Sequence, residues 1–365
     1  MRLALVNCGA FIVWSARKTI IQTERRRPLV RVRRKSSSMT NSSMNRIQNA
    51  LTLSELIGRI YETGFVQGED DALHKVLPAA VTPDRGAYLA EVCRQVRPAA
   101  TVEVGMAWGL STFWILQALL GQPQPQPVPH VVMDPFQLFG YHRAALRALR
   151  EIGLESMVEF YEKPSINVLE GLAAKERSFD FAFIDGDHSY EAVMCDLWLL
   201  DPLLQPGGVI VFDDVWSEGV QRACLLAEQE LGYTMRSEHP DRNSGRQTTM
   251  RTYVKSDRQV LLRPSDRTTL ARQFSEARAK ALKATYTNLR KAERRYLARY
   301  HSRAGLKALG RGEQAAARLS FYYSLRNRPF KLKNYGRLAR TFLPPALARA
   351  LSGGTVKNTR NSRDS

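Results

Sequence analysis

The sequence predicts an α/β fold: a doubly wound, mostly parallel sheet of seven strands with helices on both faces, followed by a basic α-helical C-terminal extension. Three observations carry this. Between residues 101 and 213, five short apolar runs alternate with segments of helical periodicity. The first run ends in a glycine-containing turn that opens directly into a helix. After Lys255 the alternation stops and basic residues at helical spacing take over.

Taken in order, Leu53, Leu56, Ile57 and Ile60 share one helix face. A second helix begins near Thr82-Pro83, where proline suits the first turn, and carries Tyr88, Leu89, Val92 and Val96. Strands are expected at 101–104, 130–134, 158–161, 179–185 and 209–213, with helices at 111–120, 141–152, 166–175, 190–200 and 219–231. Parallel strands require such crossovers. Residues 233–237 and 248–254 read as two further strands, joined as a hairpin through a polar loop at 241–246. The Pro/Gln-rich stretch 122–129 reads as a surface connector. Residues 265–308 read as a long basic helix, 306–326 as two helices joined at Gly310–Gly312, and 353–365 as disordered. The expected division is a basic N-terminal segment (1–45), a catalytic core (46–255), a basic helical extension (256–352) and the tail.

The net charge of +19 would suggest a nucleic-acid partner if it were spread evenly. It is not. Residues 1–38 carry a net +9, residues 39–255 a net −10 and residues 256–365 a net +20. The basic ends can hold phosphates or an anionic membrane surface, or form solvated helix faces. The N-terminal segment reads either as a transit-like leader or as an overlong start, with Met39 or Met44 as the first residue. No apolar run reaches the roughly 20 residues of a membrane span. Four dispersed cysteines (Cys8, Cys93, Cys195, Cys224) fit neither a zinc site nor a disulfide framework and point to a reducing, cytoplasmic setting.

The chemistry is concentrated at the ends of the expected strands. Val102-Glu103-Val104-Gly105 runs through Trp108-Gly109 into a helix opened by Ser111-Thr112. Such a turn lets a ligand approach the backbone and offers free amides, although an ordinary strand-to-helix turn has the same look and Ala107 stands where a middle glycine is usual. Val131-Val132-Met133 ends in Asp134, which is placed to accept both ribose hydroxyls of a nucleoside. Phe179–Ile184 ends in Asp185-Gly186-Asp187-His188, and Val209–Phe212 ends in Asp213-Asp214. If those strands are neighbours, several carboxylates meet at one edge. Like charges that close call for a cation, and an oxygen-rich set suits Mg²⁺, with Mn²⁺ or Ca²⁺ as other options.

The motifs VEVGMAWGLST, VVMDPF, FDFAFIDGDHSYEAVMCDL and LLQPGGVIVFDDV, in that order, resemble the class I S-adenosylmethionine-dependent methyltransferases, which have a Rossmann-like core. The closer resemblance is to the branch of catechol-type and macrolide-sugar O-methyltransferases, over roughly residues 80–255. The resemblance implies that Glu103 and Gly105 face the methionine end of the cofactor, that Asp134 holds the ribose, and that the adenine lies near 158–161 and Ser165. It implies metal ligands at Asp185, Asp213 and Asp214, the last being Asp where Asn is frequent in that branch. It implies a general base at His188, whose bland alternative is a supporting or surface histidine. Asp187 reads as a helix cap rather than a ligand. Leu306–Arg328 resembles one tetratricopeptide-type helix pair, a hint toward glycan chemistry whose plainer reading is a packed appendage.

The leading expectation is therefore divalent-metal-assisted O-methylation of a sugar, glycan or other small-molecule hydroxyl, with S-adenosylmethionine as donor. An RNA methyltransferase using the basic ends is the second reading, against which the DGDH edge argues. A non-catalytic binding or scaffold protein is the third.

Overall fold

The computed structural model describes residues 41–122, 129–240, 249–257 and 264–344. The expected connector core at 123–128, the hairpin loop at 241–246, the tail at 353–365 and most of the N-terminal segment lie outside these residues. Helix α1 (Asn41–Thr63) precedes a small hairpin of β1 (Phe65–Gln67) and β2 (Leu73–Lys75). Then follow α2 (Pro83–Val96), β3 (Thr101–Val104), α3 (Leu110–Leu120), β4 (His130–Met133), α4 (Ala144–Glu151), β5 (Val158–Tyr161), α5 (Ser165–Ala173), β6 (Phe179–Ile184), α6 (Tyr190–Leu200) and β7 (Leu204–Phe212). The domain closes with α7 (Glu218–Gln229), β8 (Tyr233–His239) and β9 (Met250–Lys255), and the extension is α8 (Pro264–Gly310), α9 (Gln314–Asn327) and α10 (Leu332–Arg340).

The main sheet has seven strands in the order β5-β4-β3-β6-β7-β9-β8. The pairs from β5 to β7 are parallel, while β9 is antiparallel to both β7 and β8. The predicted fold class is thus the observed one. Successive side chains of a strand point to opposite faces, and both faces here are covered. Val102, Val104, Met133, Ile184, Ile210 and Phe212 enter one core with α5, α6 and α7. Val132, Phe181, Phe183, Val209 and Val211 enter the other with α1, α2 and α3. The β1–β2 hairpin, three residues per strand, escaped the sequence reading because so short a pairing leaves no periodicity to count.

The chain runs outward from β3 to β5, then returns to place β6 on the other side of β3. That reversal opens a crevice at the carboxyl ends of β3, β4 and β6, where open α/β sheets bind ligands. The Pro206-Gly207-Gly208 stretch lies inside β7, whose pairing to β6 shifts register there.

The extension packs onto the domain. Leu270, Ala277 and Ala281 of α8 are buried in the first core, and Phe274 stacks on Trp198 of α6. Arg278 makes a two-pronged pair with Glu170 of α5. Helices α8 and α9 meet where Gly305 leaves room for Phe321, since a Cβ there would lie 2.8 Å from that ring. Among the described residues, no helix is long and apolar enough to cross a membrane.

Candidate active site

A cavity of about 210 Å³ lies at the crevice. Its floor is Val104-Gly105, Met133-Asp134 and Asp185-Gly186, from the ends of β3, β4 and β6. Gly105 has φ +93, and a Cβ there would stand 2.1 Å from the Asp185 carbonyl oxygen, so no side chain fits where these two strand ends converge. Ala107, lining the cavity, holds a left-handed φ of 45, which costs a non-glycine residue energy. Its N–H donates to Asp134 Oδ2 at 2.8 Å, and its carbonyl accepts from Gln137 Nε2 at 2.7 Å.

Asp134 is therefore both wall and organiser. Oδ2 takes Met106 N, Ala107 N and Gln137 Nε2, whereas Oδ1 takes only Phe136 N, at 2.8 Å. A carboxylate oxygen has two lone pairs, so Oδ1 keeps capacity for a ligand hydroxyl. Burial pushes this carboxyl upward despite those donors.

Ser165 and Gly105 line the cavity; Glu103, Gly109 and Ser111 do not. Glu103 is fully buried and accepts from Ser111 Oγ and from Thr112 Oγ1 at 2.7 Å, with His130 Nε2 2.8 Å away. This network ties β3 to α3 and β4. Gly109 caps α3 with φ +87 and lies against Ala145 of α4.

The far side of the cavity is one that sequence reasoning missed. Ala281, Thr285 and Asn288 of α8 form it, so the extension closes the crevice. The signal was available as a small-residue spacing along one helix face. Asp196 was also missed. It interrupts the apolar run of α6, is 2 % exposed, and has Oδ1 without a hydrogen-bond partner. Burial pushes its carboxyl up to about 7. Among the described residues the lining carries four carboxylates (Asp134, Asp185, Asp187, Asp196) and no Lys, Arg or His. Such a lining repels a pyrophosphate and favours a cationic ligand.

Beside the cavity, Asp185 joins His188 and Asp214. His188 Nε2 is 3.7 Å from Asp185 Oδ1 and 3.2 Å from Asp214 Oδ2, and one ligand atom from each residue lies within 4.8 Å of the other two. Asp213 is turned elsewhere: its Oδ1 pairs with Arg85 of α2, while Oδ2 is buried without a partner. The same guanidinium lies 3.0 Å from Asp214 Oδ1. No sequence signal marked Arg85, which sits in the first turn of α2, far from its partners in the chain. Burial, then neighbouring carboxylates, push Asp213 upward; burial does the same to Asp185. The Asp185 carboxylate beside His188 raises the imidazole's basicity. Trp216, exposed, donates to Asp214 at 2.9 Å and meets the His188 ring edge-on. Asp187 Oδ1 accepts from Ser189 N at 2.8 Å, just before α6.

Part of the chain is similar to known proteins. Residues 102–215 match a family model described as a methyltransferase domain. The matched segment covers less than a third of the chain, and over it the chain is similar to methyltransferases. It is 25% identical over 173 residues to a caffeoyl-CoA O-methyltransferase of Populus kitakamiensis, covering 42% of this chain and 68% of that one. It is 27% identical over 162 residues to a caffeoyl-CoA O-methyltransferase of Stellaria longipes, covering 43% and 62%. Among solved structures, an O-methyltransferase from Bacillus cereus in complex with SAH aligns with a TM-score of 0.44 at 17% identity, over 57% of this chain and 91% of that one. The matched segment spans β3 to β7 and the strand ends that form the crevice; β8, β9 and the long α8 that walls the crevice lie beyond it.

Proposed function

We propose that this methyltransferase methylates a hydroxyl of a small-molecule acceptor, a sugar or glycan among them, with a divalent cation at Asp185 and Asp214 and with His188 as general base. The observation that carries this reading is the meeting of Asp185, His188 and Asp214 beside a cavity with four carboxylates and no basic side chain.

S-adenosylmethionine supplies an electrophilic methyl group on a cationic sulfonium. The cavity suits it: acidic walls for the cation, Asp134 Oδ1 with free capacity for a ribose hydroxyl, and Asp196 Oδ1 as an acceptor for an exocyclic amine. The donor set at the edge suits a hard divalent ion as well. Three carboxylates face one guanidinium, and the Asp213 Oδ2 orphan marks a charge deficit that Arg85 alone does not fill. Such an ion would lower the pKa of an acceptor hydroxyl. His188, half-exposed and flanked by two carboxylates, would take the proton at Nε2, which those carboxylates support. Arg85 anchors Asp213 and Asp214 from behind. Trp216 offers an exposed ring beside His188 on which a flat or ring-shaped acceptor can lie.

The test is methyl transfer to a panel of sugars and phenols, with and without chelator. Chelation should abolish turnover but spare cofactor binding. Replacing Asp185 by Ala should remove the ion. His188→Ala should keep ion and cofactor yet lower turnover by roughly 10²–10⁴. Methyl transfer that persists in excess chelator would refute the metal. Loss of ion binding in His188→Ala would make the histidine a ligand and move the base elsewhere.

A further inference from the structure

Outside the cavity and its Asp185–His188–Asp214 group, Asp70, His74 and His142 meet in a second cluster that the proposed methyl transfer does not use. Asp70 lies in the turn of the β1–β2 hairpin, His74 on β2, and His142 just before α4. His74 Nε2 is 2.8 Å from Asp70 Oδ1, and His142 Nδ1 is 3.5 Å from Asp70 Oδ2. The two imidazoles stack with centroids 4.0 Å apart. One ligand atom from each of the three lies within 4.8 Å of the others.

Two further observations show that the cluster is built. His142 is 6 % exposed, and its Nδ1 is buried without a hydrogen-bond partner. A buried polar atom left so is destabilising unless something binds it. Gly68 is hemmed in by all three side chains: a Cβ there would lie 2.7 Å from His142 Cβ, 2.8 Å from Asp70 Oδ1 and 3.0 Å from His74 Cδ2. Only glycine lets the hairpin close this tightly. The loop is held against it by Glu69 N, which donates to the His142 carbonyl at 2.9 Å.

We propose that Asp70, His74 and His142 bind a borderline divalent transition ion of the Zn²⁺ class. Two imidazole nitrogens and one carboxylate suit that class and discriminate against Mg²⁺ and Ca²⁺, which take oxygen ligands. Asp70 and His142 also line a cavity of about 450 Å³, together with Tyr296, Arg299 and Arg303 of α8. Arg303 Nη1 lies 2.8 Å from Asp70 Oδ2, on a side chain that is 56 % exposed. It can swing into solvent when an ion takes the carboxylate. The site reaches the cofactor through packing: His74 stacks on Trp108, Trp108 meets Tyr141 edge-on, and Tyr141 lines the cofactor cavity. A bound ion would fix that wall.

The full chain, stripped of metal, is titrated with Co²⁺ as a spectroscopic stand-in for Zn²⁺. One equivalent should give the visible band of a four-coordinate ion, erased by Zn²⁺. His142→Ala and His74→Ala should each lose the band, and Asp185→Asn should keep it. Absence of the band in the unaltered chain overturns the proposal. So does a band lost in Asp185→Asn but kept in His142→Ala, which would place the ion at the carboxyl edge. Because the histidine variants could fail to fold, Arg303→Ala gives an independent arm. Removing this exposed competing cation should tighten Co²⁺ roughly tenfold, the scale on which outer partners tune a metal site. Unchanged or weakened affinity there overturns the role of Asp70 as a ligand.

Discussion

Asp134 is the residue on which the proposed cofactor site turns. Its carboxylate gathers four donors around a loop in which an alanine stands in a left-handed conformation, and it still presents capacity to the cavity. Asp134→Ala should weaken S-adenosylhomocysteine binding by about 1.5–3 kcal/mol in a calorimetric titration, since hydrogen bonds to charged groups carry that much. It should also lower the unfolding temperature, because Met106 and Ala107 lose their acceptor. Unchanged binding with lowered stability would restrict Asp134 to holding the loop. Its position was legible in the sequence, because a carboxylate at the end of a strand is a local pattern. Arg85 was not: what makes it matter is its meeting with Asp213 and Asp214, which only the packed α2 brings about.

Among elements, α8 changes most from its expected role. Read as a basic helix, it is also a wall of the crevice cavity. What holds it there is mainly apolar: Leu270, Ala277 and Ala281 are buried, and Phe274 packs on Trp198. The Arg278–Glu170 pair is partly exposed and adds direction more than energy. Thr285→Trp should therefore crowd the cavity and weaken cofactor binding by roughly tenfold or more, about 1.4 kcal/mol, with little change in unfolding temperature. Lys283→Trp, at an exposed position on the opposite side of the same helical turn, serves as the control and should bind normally. Equal affinities in the two variants would show that α8 stands clear of the bound cofactor.

Across the whole molecule, carboxyls gathered at one edge of the sheet tie stability to pH. Asp134, Asp185, Asp196 and Asp213 are all raised, chiefly by burial. A raised carboxyl means that the folded chain binds more protons than the unfolded one between the two values. Stability then falls as pH rises through that window. For Asp196 the window runs from about 4 in the unfolded chain to about 7 in the fold. His188, also raised, acts in the same direction, because the stability that its charge contributes is lost at higher pH. Denaturant unfolding of the metal-free chain should therefore show stability dropping from pH 5 toward pH 8. Asp196→Asn should make that drop smaller. A variant with the same slope as the parent would show that Asp196 is ionised in the fold throughout.

The sheet was legible in the sequence, because strand periodicity, crossover helices and turn glycines are written in neighbouring residues. It also placed Gly105, Asp134, Asp185 and Asp214 at the edge where ligands bind, since each ends a strand. What faces them came from packing. It put Arg85 on Asp213, set His188 between two carboxylates, drew α8 across the cavity, and brought Asp70, His74 and His142 together. These meetings join residues far apart in the chain. They follow from how two faces of one sheet are covered, which no local pattern encodes.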